Sequence, residues 1–205
     1  AVTGIRDGTD NYYLRLNGGT GTGDQAAGNA REENWMTGTR SNPSLDPNLL
    51  DSDPLDVMRV RRGAKSNTFG NVRVNENGTP RPHQGVDLYA PTDTPVKAVG
   101  NGVIHSVGED KDYGNWVILQ FDKEGKPHYA LYAHLNEIGV AKGATVKAGQ
   151  DIGKSGTTGN AADMEGEDQH LHFELAPSGT FGTGLGDRFD PMKFFRTKME
   201  VNNDE

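Results

Sequence analysis

The chain of 205 residues contains no cysteine, which excludes disulfide bridges and any thiolate metal site. It has no run approaching the roughly twenty consecutive apolar residues of a membrane-crossing helix. It also lacks excess positive charge. A formal net charge of −8 argues against general nucleic-acid binding and against electrostatic adhesion to anionic wall polymers or lipid headgroups. No positively charged start followed by an apolar segment is visible after Ala1, so either a removed export signal or a fragment of a longer protein is expected. Long helical periodicity is scarce as well. With 28 glycines, 10 prolines and short alternating runs, the composition favours a mostly β architecture, with one moderate core from 33% hydrophobic residues.

Two stretches follow from this composition. Residues 1–63 are dominated by Gly, Thr, Asn and Asp, include the linker-like Gly18 to Gly23 patch, and predict an irregular N-terminal extension. Isolated apolar groups such as Trp35, Leu49, Leu50 and Leu55 would dock it on the rest of the chain, and Arg59, Arg61 and Arg62 form a basic knot at its end, expected to be solvated. Residues 64–205 carry strand signals. These include Thr68 to Val74, Pro95 to Val99, Gly102 to Gly108 and Asn115 to Phe121, with a hairpin connection over Asp122 to Lys126. An antiparallel β-sandwich or β-roll is predicted. Asp190-Pro191 supplies a capping acid and a first-turn proline for a short C-terminal helix, whose Phe194 and Phe195 should pack on the sheet. Gly143 to Lys154 predicts two short strands paired about glycine turns, like the hairpin of biotinyl and lipoyl carriers.

The chemistry gathers on histidines. Gln169 to Leu175 alternates with period two and predicts a half-buried strand with His170, His172 and Glu174 on one face and Leu171, Phe173 and Leu175 toward the core. A lone His-x-His is as consistent with two exposed polar residues as with a metal site. His83-Gln84-Gly85-Val86-Asp87 adds an imidazole and a carboxylate, with Pro82 and Gly85 favouring a loop that enters a strand at Asp87. Such nitrogen and oxygen donors suit zinc held by three protein groups with one position open, the geometry of a catalytic rather than a structural site. A third strand, Pro127 to Leu135, alternates again, placing His128, Ala130, Tyr132 and His134 on one face and Tyr129, Leu131, Ala133 and Leu135 on the other.

His83-x-x-x-Asp87, Tyr132-Ala133-His134-Leu135 and His170-Leu171-His172-Phe173-Glu174, in this order, resemble the lysostaphin-like zinc metallopeptidases that cut peptidoglycan cross-bridges and stem peptides. The resemblance runs from about Phe69 to Phe195 and includes the Gly156 to Asn160 turn. It implies Zn2+ as cofactor, His83, Asp87 and His172 as its ligands, and His134 and His170 as catalytic groups in place of the glutamate base of a His-Glu-x-x-His helix, a motif this chain lacks. It implies a peptidoglycan peptide as substrate and an extracytoplasmic place of work. Remodelling of the cell's own wall and an antibacterial toxin or phage-type lysin remain open, and a toxin would be met by an inhibitor or immunity protein. The other reading of the same fold is a non-catalytic domain that binds the wall or activates another hydrolase.

Other residues divide between roles. Glu174 is expected to orient a ligand imidazole or to make an ordinary ion pair, Tyr132 to be a buried aromatic with a satisfied hydroxyl rather than an oxyanion donor, and His105 and His128 to be structural. Between Asn160 and His170 the chain departs from the family's short approach. Asp163, Glu165, Glu167 and Asp168 form an acidic insert expected to create negative potential at the cleft rim and to favour substrates bearing an amine.

Overall fold

The structure is a computed structural model that describes residues 2–6, 12–16 and 46–203. It divides into two compact units, Ala1–Ser44 and Leu45–Glu205. In the first, β1 (Val2–Arg6) and β2 (Tyr12–Leu16) pair antiparallel, with Val2 opposite Leu16, inside the stretch whose composition suggests irregular chain. The glycine patch and Trp35 lie outside the described residues.

The second unit is built from β3 (Gly70–Val74), β4 (Pro80–His83), β5 (Val86–Tyr89), β6 (Pro95–Lys97), β7 (Gly102–Asp110), β8 (Gly114–Lys123), β9 (Lys126–Ile138), β10 (Thr145–Val146), β11 (Asp151–Ser155) and β12 (His170–Ala176). All strand pairs are antiparallel, and one sheet of eight strands contains every element from β5 to β12. The tight β8–β9 turn is made at Glu124 and Gly125, both at positive φ (52° and 73°), the geometry that matches the twist of a hairpin. β10 and β11 do not pair with each other as the glycine-punctuated sequence suggests. β10 joins β7, and β11 joins β6 and β9, so the carrier-type hairpin is absent. The predicted closing helix is a single 3-10 turn, Pro191–Lys193, capped by the Asp190 carboxylate accepting from the Met192 N–H at 3.0 Å. Phe195 is fully buried and Phe194 half-buried.

Residues 46–63 belong to the same compact unit as the strands. Leu50, Leu55 and Val60 are buried in the main core, and full burial of one such side chain contributes on the order of 1.5–3 kcal/mol. This segment also adds to the sheet. Val60 bridges Leu88, and the Arg59 carbonyl accepts from the Tyr89 N–H at 2.8 Å, so the segment covers the edge of β5 that β12 leaves open.

Two features position the site. First, β12 lies between β5 and β9 and is buried along its whole length, not half-buried. Leu171, Phe173 and Leu175 enter the main core as the alternation predicts. Second, β9 carries one extra residue opposite β8, since Val117 faces Tyr132 while Asn115 faces Leu135. His134 takes φ +62° at this bulge. The bulge breaks the predicted alternation. Ala130, Tyr132 and Leu135 share the main core, whereas Leu131 and Ala133 pack with Ile118 on the opposite side. Tyr132 and His134 therefore do not share a face, and the Tyr132 hydroxyl is held in the core as acceptor for the Val99 N–H at 3.0 Å.

Candidate metal centre

Three buried side chains from three strands converge. His83 ends β4, Asp87 is the second residue of β5, and His172 stands directly across from Asp87 on β12. His83 Nε2 lies 3.1 Å from Asp87 Oδ1 and 3.3 Å from His172 Nδ1, and His172 Nδ1 lies 2.8 Å from Asp87 Oδ1. The close approach of the strands requires Gly85 between the two motif residues, because a Cβ there would stand 2.2 Å from the Phe173 carbonyl oxygen.

The outer atoms of each group are already committed. His83 Nδ1–H donates to the Thr68 carbonyl at 2.8 Å, which leaves a lone pair on Nε2. His172 is held by its other nitrogen: Nε2–H donates to Glu174 Oε1 at 2.9 Å, which turns Nδ1 toward Asp87 Oδ1. Asp87 Oδ2 accepts from Arg73 at 2.6 Å, so Oδ1 is the oxygen turned to the imidazoles. Donor separations of 2.8–3.3 Å are close to the edge of about 3.3 Å of a tetrahedron with nitrogen and oxygen bonds near 2.0–2.1 Å. The three residues therefore fit a divalent ion. They are the one such group of three among the described residues.

The electrostatics favour positive charge at this point. Burial alone would raise the Asp87 carboxyl, yet the His172 and His83 imidazoles set against it hold it well below the usual carboxylate range. Burial would lower His172, but Asp87 and Glu174 outweigh it and push it up to about 9. Glu174 is fully buried, and although burial opposes its charge, His172, Arg188 and Tyr113 bring it down to about 2. Its partners are close, with Arg188 Nε at 2.5 Å from Oε2 and the Tyr113 hydroxyl donating to Oε1 at 2.7 Å. Glu174 thus does both things expected of it, since it holds the His172 ring and forms a buried ion pair.

Above the cluster stand His134 and His170, their rings edge to face with centroids 5.0 Å apart. His134 Nδ1–H donates to the Thr158 carbonyl at 2.9 Å, and His170 Nδ1–H to the Asp168 carbonyl at 2.8 Å. Both therefore keep an unprotonated Nε2. Burial first, and nearby positive groups second, lower His134 to about 3, and burial lowers His170 as well. The Thr158 carbonyl is fixed by a close crossing of chain segments, where a Cβ on Gly159 would meet the Gly114 nitrogen at 2.2 Å. All five residues line one cleft of about 560 Å³. His105 and His128 stay outside it, packed on Tyr129 and Phe189 respectively.

Sequence reasoning misses Arg73, Arg188, Tyr113 and Arg61 at this site. A buried glutamate beside a ligand histidine demands a counter-charge, but nothing in the order of residues says that Arg188 supplies it. The acidic insert is also corrected. Glu167 pairs with Arg59 at 2.5 Å, and Asp168 receives two hydrogen bonds from Arg62, at 2.6 Å from Nε and 2.5 Å from Nη2. Two of the four acids are thus matched to the basic knot, and the expected negative rim is compensated by half.

An antiparallel sheet that presents a His-Asp-His cluster beneath two free imidazoles defines a metallopeptidase fold. The chain belongs to peptidase family M23, whose family model matches residues 81–182. It is 36% identical over 117 residues to the peptidoglycan DD-endopeptidase ShyA of Vibrio cholerae, covering 52% of this chain and 25% of that protein. Among solved structures it is similar to a zinc-containing peptidase from Vibrio cholerae, with a TM-score of 0.54 and 28% identity over 70% of this chain and 39% of the other. It also matches the catalytic domain of the antimicrobial peptidase lysostaphin from Staphylococcus simulans, with a TM-score of 0.50 and 35% identity over 61% of this chain and 86% of that one. This chain spans about a quarter of the length of the curated DD-endopeptidases it matches.

Proposed function

We propose that this protein is a zinc-dependent endopeptidase that hydrolyses amide bonds in the peptide part of peptidoglycan. The observation that carries the reading is the joint placement of five residues in one cleft: His83, Asp87 and His172 as ligands, and His134 and His170 with free Nε2 atoms as the proton-handling pair. Family membership and the printed activities of the relatives supply the substrate class. The non-catalytic alternative is disfavoured because none of the five residues is missing.

Zinc bound by this triad supplies Lewis-acid polarisation of the scissile carbonyl and acidification of the attacking water. The chain's own residues do the rest. Asp87 contributes the negative charge among the ligands, and Arg73 and Thr68 fix which atoms of Asp87 and His83 face the ion. His134 and His170 are neutral with Nε2 unprotonated, so either accepts a proton from water at Nε2 and in that form donates to the developing oxyanion or to the leaving amine. Burial makes the protonated ring a ready donor, since the cleft disfavours its charge. The Tyr113 hydroxyl, at the same cleft, donates to Glu174 and so helps hold the carboxylate that orients His172.

Peptidoglycan places the reaction outside the cytoplasm. Two settings share this chemistry, remodelling of the cell's own wall and secretion as an antibacterial lysin, and the second calls for an inhibitor or immunity protein as partner. Purified sacculi from several bacteria, digested by zinc-loaded protein and resolved by mass analysis of released fragments, test the proposal. Release of peptide fragments with one new amine and one new carboxylate, abolished by chelator, is the expected result. Intact sacculi, or activity unchanged in metal-free protein, would overturn it.

A further inference from the structure

The guanidinium of Arg61 lines the cleft beside the catalytic pair, outside the residues matched by the family model. Its side chain is 19% exposed, and its Nε is buried without a hydrogen-bond partner among the described residues. Its Nη1 contacts are poor acceptors: the Met164 sulfur at 3.6 Å, and the His170 Nδ1 at 3.4 Å, whose hydrogen is already directed at the Asp168 carbonyl. Asp87 and Asp168 approach it only to 3.8 and 3.7 Å, and both carboxylates are engaged elsewhere, Asp87 by Arg73, His83 and His172 and Asp168 by Arg62. Arg61 thus has its charge balanced but no strong acceptor, its Nε–H unmet and its Nη1 on the Met164 sulfur, although buried donors are nearly always satisfied.

The chain holds it there on purpose-built backbone. Val60 bridges Leu88 next to Asp87, and Arg62 and Gly63 follow at φ +53° and +66°, a turn that sends Arg61 toward the cleft and Arg62 toward Asp168. Arg62 is outside the left-handed preferences of a long side chain, so this turn carries strain that the surrounding contacts maintain. Arg81 lines the same cleft.

We propose that Arg61 is a specificity-determining residue that receives a carboxylate of the substrate next to the bond being cut, through a forked pair of N–H donors. The proposal rests on the peptidase reading above and deepens it. The chemical class is a peptide in which the residue at the scissile amide carries a free carboxylate, as the side-chain amine of a cross-linking diamino acid does when the carboxyl stands on the same carbon. An uncharged bridge residue leaves the Arg61 donors unmet and is disfavoured. This reverses the preference for an amine that the acidic insert suggests.

The test pairs equilibrium binding with hydrolysis. The probes are one synthetic cross-linked stem peptide with a free carboxylate on the residue at the scissile amide and its carboxamide twin, measured by calorimetry against zinc-loaded His134→Asn protein, expected to turn them over too slowly to disturb the measurement. The acid is expected to bind about tenfold tighter than the amide. Arg61→Gln in the same background should remove that preference by weakening the acid alone, and Arg61→Lys should retain part of it, because the charge stays and the fork is lost. Equal binding of acid and amide before the Arg61 change, or a preference that survives Arg61→Gln, overturns the inference. Equal weakening of both probes does so as well, since it assigns Arg61 to the fold. Failure of the peptidase reading shows separately, as the absence of cleavage of either probe by the otherwise unaltered protein.

Discussion

Asp87 and His172 are direct partners across β5 and β12, and His172 Nδ1 stands 2.8 Å from Asp87 Oδ1. A one-residue slip of β12 against β5 would replace the imidazole by Leu171 or Phe173, so register alone decides whether two of the three donors meet. His83 completes the set from the end of β4, only four residues before Asp87.

Removing a donor should therefore remove the metal. Purified protein is expected to carry close to one zinc per chain, and His83→Ala or Asp87→Ala to lose both metal and hydrolysis while the sheet remains folded. Elemental analysis beside circular dichroism checks this. Full zinc occupancy in Asp87→Ala would break the assignment.

His134 should separate catalysis from binding of the ion. Its φ of +62° is a conformation that asparagine tolerates, so His134→Asn is the variant least confounded by the backbone. Hydrolysis is expected to fall by at least about a hundredfold, the lower end of general acid-base contributions, with zinc content unchanged. Loss of zinc as complete as in His83→Ala would mean that His134 is a ligand.

The same residue sets an acid-sensitive term in stability. His134 is held neutral down to about pH 3 by burial, whereas its unfolded value is 6.5. Between these values the unfolded chain binds a proton that the folded chain does not, so stability falls as pH drops through the window and is unaffected by this group above about 6.5. The slope from one such group is at most about 1.4 kcal/mol per pH unit. Urea unfolding at pH 7 and pH 5 should show a smaller loss of stability for His134→Asn than for the unaltered protein. It also follows that protonation of His134 does not itself cause a loss of activity near pH 6, where an ordinary histidine would.

Glu174 should matter for stability and for metal together. Glu174→Gln removes the counter-charge of Arg188, whose side chain is 1% exposed, and an uncompensated buried charge costs about 3–5 kcal/mol. It also loosens the His172 ring, with an expected loss of 10–100-fold in zinc affinity. Thermal unfolding and competition with a fluorescent chelator measure the two effects. A variant as stable and as tight as the original protein would refute the role given to the pair.

The exposed pairs predict the opposite. Arg62 and Asp168 sit at the surface, where solvent screens their attraction, so Asp168→Asn should barely move the unfolding midpoint. Its effect should appear instead at the catalytic end, because the Asp168 carbonyl holds His170 Nδ1 and the Arg62 and Arg59 side chains help hold the segment that bears it. A lowered kcat with an unchanged midpoint is the expected pattern.

What the amino-acid order determines here is whatever depends on neighbours within one strand. Period-two alternation places Leu171, Phe173 and Leu175 in the core and leaves His170 and His172 together, and the four-residue spacing of His83 and Asp87 is short enough for both to serve one point. Glycine and proline punctuation marks where strands end. Tertiary structure decides what depends on which strands become neighbours and on where regular pairing fails. The extra residue in β9 parts Tyr132 from His134, because a bulge changes side-chain parity without leaving a pattern in composition. Ion pairing between Arg59 or Arg62 and Glu167 or Asp168 joins residues more than a hundred positions apart, and likewise only the folded sheet brings Arg188 to Glu174 and Arg61 to the rim of the cleft. Local sequence specifies which side chains share a face; long-range register specifies which of them share an ion, a proton or a charge.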